Sequence, residues 1–149
     1  MTEFTIKNES QSRPMGATRM GLDNYLTKDD TTELPSEVLE DLEGLNLCGG
    51  MMSGNGTDGS FRGKVYAEGV EQVTGVSLYE AEIPPETLRS MAKALLLSCK
   101  DNWASLSASV EEVLDNPSEY TDEFDFEEWD LIILFAVGAK HGCTLVSWY

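Results

Sequence analysis

A glycine pattern able to hold phosphate stands near the middle of this 149-residue chain. Gly54-Asn55-Gly56-Thr57-Asp58-Gly59 matches G-x-G-x-x-G. In such loops backbone amides approach a pyrophosphate at a helix N-terminus. The dinucleotide version closes the first strand of a long βαβ series, and no such alternation is visible here. The P-loop spacing fails as well. Gly59-Ser60-Phe61-Arg62-Gly63-Lys64 is one residue short between its glycines, and Val65 stands where a magnesium-holding Ser or Thr belongs. Arg62 and Lys64 keep the loop a candidate, because an arginine in a base-poor chain either pairs internally or meets an anion. Long glycine loops in compact domains are also often functional. The ligand-binding candidates are therefore Gly54, Gly56, Gly59, Arg62 and Lys64, within a loop running from Gly49 to Lys64.

The second candidate lies between Asp115 and Asp130, where acids alternate with aromatics. Tyr120, Asp122, Glu123, Phe124, Asp125, Glu127 and Glu128 make up its centre. No glycine or Asp/Asn register of a calcium loop is present. Aromatic rings give contact area and carboxylates steer association, so this pattern suits a basic partner surface. The plainer reading is a solvated acidic turn that favours the positive end of the helix after it.

Other chemistry is poorly specified. His141 is the single histidine, with Cys143 two residues on. A Cys–His nucleophile pair needs facing side chains and a third orienting group. A helix end and a glycine between them leave that geometry open, so a capping histidine and a packed cysteine are expected. A zinc site would need further ligands. With 27 acids, no carboxylate pair stands out for acid–base work. No catalytic residue, metal site or cofactor is expected.

The charge is the strongest signal. Asp and Glu number 27 against 10 Lys and Arg, a formal net charge of −17. Such a chain repels nucleic-acid phosphates and anionic membranes and favours basic partners. The charge is also uneven. Eight acids and no base lie between Lys28 and Arg62, and eleven acids and no base run from Asp101 to Asp130. From Arg62 to Lys100 five bases balance five acids. The 3 cysteines form no CxxC pair, and no leader-like apolar stretch opens the chain. A cytoplasmic location without disulfides is the expectation.

These residues need elements to hold them. Residues 3 to 7 alternate like a strand, and 8 to 33 read as a polar, partly ordered arm, with a turn near Asp23-Asn24. Pro35-Ser36 opens a short helix through Leu39 and Leu42, and Leu45 and Leu47 alternate like the start of a strand. Val65 to Thr74 has helical spacing with Gly75 as its stop. Pro84-Pro85-Glu86 opens the clearest helix, with Leu88, Met91, Leu95 and Cys99 on one face. A further helix is expected from about Ala104 to Leu114. Leu131 to Val137 is apolar all round and reads as a buried central helix, and Thr144 to Trp148 as a terminal strand.

The expected fold is α+β, one compact domain, helix-dominated with a small antiparallel sheet. Residues 1 to 33 form the strand and arm, and 34 to 149 the core. The favoured function is a non-enzymatic, inhibitor- or immunity-like module that engages a basic protein. The alternatives are a small-molecule or phosphate site on the glycine loop, enzymatic or not, and an accessory subunit of a larger assembly.

Overall fold

The computed structural model describes residues 21–149. The strand expected over residues 3 to 7 and the arm up to residue 20 lie outside them.

Four strands form one antiparallel sheet in the order β2-β1-β4-β3. They are β1 (Asp23–Thr27), β2 (Ser60–Phe61), β3 (Glu82–Ile83) and β4 (Thr144–Trp148). β1 is therefore interior, paired with β4 from Asp23↔Trp148 to Thr27↔Thr144 and with β2 through Asn24↔Phe61. This corrects the expectation that residues 23 to 27 belong to a polar arm with a turn at Asp23-Asn24. Asp-Asn-Tyr reads as a turn because Asn and Asp favour turns. Here the Asn24 amide instead donates to the carbonyls of Leu78 (3.0 Å) and Val146 (3.3 Å), ties that only the folded chain supplies.

Six α-helices pack around the sheet: α1 (Ser36–Asp41), α2 (Gly63–Thr74), α3 (Pro85–Ser98), α4 (Lys100–Trp103), α5 (Val110–Asp115) and α6 (Glu127–Lys140). A 3-10 helix, Pro117–Glu123, joins α5 to α6. Pro85 starts α3, where its missing N–H costs nothing. Gly75 ends α2 in the left-handed conformation. The helix expected over 104 to 114 is shorter. It starts only after Ser109, whose hydroxyl caps the Glu112 amide at 3.1 Å. Leu45 and Leu47 are buried but lie in a loop, not a strand.

α6 is the centre of the core, with every residue from Trp129 to Gly138 buried. Its neighbours are α3, α5, the 3-10 helix and the sheet. At Gly138 the backbone comes so close that an added Cβ would lie 2.8 Å from Leu26 of β1 and 3.2 Å from Leu88 of α3. Among the described residues no helix is long and apolar enough to cross a membrane.

The end of α6 is tied to α1. His141 Nε2 lies 2.7 Å from Asp41 Oδ2, and Lys140 Nζ lies 3.7 Å from the same oxygen. Burial alone would raise the Asp41 carboxyl. The His141 hydrogen bond, the Lys140 charge and a hydrogen bond from Ser118 outweigh it and hold the group below its ordinary value. A carboxyl depressed by folding adds stability above its unfolded pKa of about 3.9 and loses it as pH falls through the lower folded value. Asp41→Asn should therefore cost about 1–2 kcal/mol at neutral pH, with the deficit closing in strong acid. Urea denaturation at both pH values checks this, and a deficit that persists in acid counts against it.

Candidate functional site

The glycine loop is a closed hydrogen-bonded unit. The Gly54 amide donates to Ser60 Oγ (2.8 Å), Gly56 to the Ser60 carbonyl (2.8 Å) and Gly59 to the Gly56 carbonyl (2.9 Å). Ser60 Oγ in turn donates to Asp58 Oδ1 at 2.7 Å, and the Leu47 amide reaches the Asn55 carbonyl at 2.7 Å. A phosphate cradle needs its amides pointing at the ligand, and these three point at loop partners. The glycines answer to shape instead. Gly59 has φ +87, and a Cβ there would stand 2.7 Å from Leu34 Cδ1.

Arg62 and Lys64 do not line one cavity. Arg62 precedes α2, and its side chain lies against Gly21 and Gly50, beside Asp23. Lys64 is in the first turn of α2, half-buried, with its amide bonded to the Leu22 carbonyl at 3.0 Å. Arg62 lines a cavity of about 490 Å³ with Gly21, Asp23, Met51, Met52, Trp148 and Tyr149. Lys64 is not on that lining.

The acid–aromatic segment splits into an inward and an outward half. Phe124 packs edge-on against the buried Trp129, with ring centroids 4.9 Å apart, and Phe126 lies 6.0 Å from the same ring. The Trp129 indole donates to the Tyr120 carbonyl at 2.8 Å, and the Tyr120 hydroxyl reaches Glu112 at 3.2 Å. The rings thus hold the segment to α6 and leave Asp122, Glu123 and Asp125 exposed.

Asp122 and Asp125 border a polar cleft of about 300 Å³. Gly44, Asn46, Thr121, Asp122, Phe124, Asp125, Glu127 and Asp130 line it, with no basic side chain among them. Of the seven residues picked out by the segment's pattern, four (Asp122, Phe124, Asp125 and Glu127) meet here. Tyr120, Glu123 and Glu128 are not on the lining. Gly44 and Asn46 come from the other base-free stretch, while all four carboxylates of the cleft come from residues 122 to 130. Sequence reasoning named neither Gly44 nor Asn46, since they carry no charge. Asp130 was missed as a site residue because one acid in an apolar helix gives no local sign of facing inward.

Asp130 is 9% exposed and its Oδ2 accepts the Asn46 amide at 2.9 Å. Burial raises its carboxyl above the ordinary value. The Asn46 hydrogen bond works against this, and the charges of Glu127, Asp122 and Asp125 add to it. Glu128 is raised too, by burial and then by Glu127. Glu127 accepts the hydroxyl of the buried Tyr66, which also accepts the Cys48 amide at 2.9 Å. Burial pushes that phenol far above its usual range. The ion pairs among the described residues use Arg89, Lys93, Lys140 and His141, and none involves an acid of the cleft.

Cys99 and Cys143 are poorly placed for nucleophilic work. Cys143 is fully buried with its thiol raised, and His141 faces Asp41 instead. Burial and the Glu128 charge push Cys99 up to about 11. Among the described residues no group of three or more His, Cys, Asp or Glu has metal-holding geometry.

Compared with family models, with curated proteins and with solved structures, the chain matches none.

Proposed function

We propose that this protein is a non-enzymatic binding module that captures a basic protein surface at the cleft between residues 44–46 and 122–130. The observation that carries this reading is the convergence of Asp122, Asp125, Glu127 and Asp130 on one cleft with no basic side chain in its lining. There the carboxylates repel one another enough to add to the raising of the Asp130 pKa. A cationic partner would relieve that repulsion on binding. The rings beneath the segment hold the carboxylates in position, which lowers the ordering cost of binding. A phosphate ligand on the Gly49–Lys64 loop draws no such support, because the loop amides already have partners. Free thiols at Cys48, Cys99 and Cys143 are consistent with a cytoplasmic setting.

Binding to a panel of small basic proteins at about 20 and about 200 mM salt provides the test. Affinity should fall steeply with salt. The triple variant Asp122→Asn, Glu123→Gln, Asp125→Asn should weaken capture about tenfold or more. A control with the same change in net charge, Glu33→Gln, Glu37→Gln, Glu40→Gln, should lose much less. Equal losses in the two variants would mean that bulk charge, and not this cleft, does the binding.

A further inference from the structure

We propose that Met51, Met52, Trp148 and Tyr149 form an anchoring patch for a cationic, apolar-bearing segment of the partner, an inference that rests on the reading above and extends it. Among the described residues six large hydrophobic side chains are exposed, and four of them converge on the cavity of about 490 Å³ described above. Met51 is 92% exposed, Met52 53%, Trp148 51% and Tyr149 55%. They come from two distant parts of the chain, the loop before β2 and the end of β4.

The fold holds this patch in place. The Tyr25 hydroxyl donates to the Met52 carbonyl at 2.6 Å, and Ser53 donates to Asp23 at 2.7 Å. The Tyr149 ring sits edge-on to Tyr79 with centroids 5.1 Å apart. An apolar cluster kept exposed at such a position marks an interaction surface. Its residue types are those that dominate binding hot spots, with methionine able to adapt its shape.

Charge selects the occupant. A second copy of the chain would bring −17 against −17. Beneath Met52 the Tyr25 phenol is raised by burial and then by the charges of Asp23 and Asp58, two acids close to the patch. Arg62 is the single base on the lining and lies beside Asp23, which offsets it. A segment that carries Lys or Arg among apolar residues fits this setting. Its aliphatic side chains would enter the methionine-lined cavity, and its cations would meet the faces of Trp148 and Tyr149.

Tryptophan fluorescence reads this patch selectively, because Trp103 and Trp129 are 0% exposed and Trp148 is 51%. Two probes are compared on the full chain at low salt: an alternating Lys/Leu peptide and an oligolysine of equal charge. The Lys/Leu peptide should shield Trp148 from acrylamide and bind about tenfold tighter than oligolysine. Met51→Ser with Met52→Ser, at exposed positions that leave the fold intact, should erase that difference. Equal affinity of the two probes, or Trp148 still quenched in the complex, overturns the proposal. So does shielding that grows with protein concentration and no peptide, which would identify a second copy. The cleft triple variant separates the two readings. If it weakens both probes while the methionine variant changes neither, the cleft stands and the patch falls. If only the methionine variant matters, the patch stands and the cleft falls.

Discussion

Trp129→Ala should lower the unfolding free energy by about 4 kcal/mol and release the acidic segment from α6. Trp129 is fully buried, and its ring meets Phe124 at 4.9 Å, Phe126 at 6.0 Å and Trp103 at 6.3 Å. Removing it leaves a large void and takes away the segment's contact surface. It also strips the Tyr120 carbonyl of its donor, bonded at 2.8 Å in the native chain. A carbonyl left unpaired on a closing surface adds to the void's cost. Trp129→Phe separates the two effects, since it keeps most of the packing but loses the indole N–H, and should cost roughly 1–2 kcal/mol. Urea denaturation gives the energies, and proteolysis between residues 117 and 126 reports release of the segment. A loss below about 1.5 kcal/mol for the alanine variant would show that the segment is held by something other than this ring.

Gly63→Ala is the second large effect, on the order of 3 kcal/mol, although alanine normally favours a helix start over glycine. An ideal Cβ at Gly63 would lie 1.7 Å from Asn24 Oδ1, which no small adjustment relieves. Asn24 cannot simply rotate away, because its amide nitrogen serves the Leu78 and Val146 carbonyls and its residue is 0% exposed. Its Oδ1 is buried without a hydrogen-bond partner and packs against the glycine instead. The clash is testable by a double-mutant cycle. In an Asn24→Ala background, itself destabilised by the loss of the two Asn24 hydrogen bonds, Gly63→Ala should cost far less. Additive losses would place the cost of the alanine elsewhere.

The two variants illustrate why some parts of this protein can be read from the residues and others cannot. α3 is announced by Pro84-Pro85-Glu86 and by apolar residues every three or four positions, and α6 by its unbroken apolar run. Both signals act over one or two turns and survive in any tertiary context. The short strands β2 and β3 carry two residues each, too few for any periodicity to show. β1 is hidden by its Asp-Asn pair, whose turn preference is overridden by hydrogen-bond partners more than 50 residues away.

The same division holds for the surface. The chain's acidity, its two base-free stretches and the acid–aromatic rhythm of residues 118 to 130 are properties of composition and order, and need no structure. That Phe124 and Phe126 turn inward while Asp122 and Asp125 stay exposed depends on Trp129 reaching back to Tyr120. That Asn46 and Asp130 close one cleft, and that Met51, Met52, Trp148 and Tyr149 gather at another, depends on contacts between distant segments. Helices and net charge are local or additive quantities, and both are legible in the order of the residues. Which side chains share a cavity is a sum over long-range pairings, and it exists only once the chain has folded.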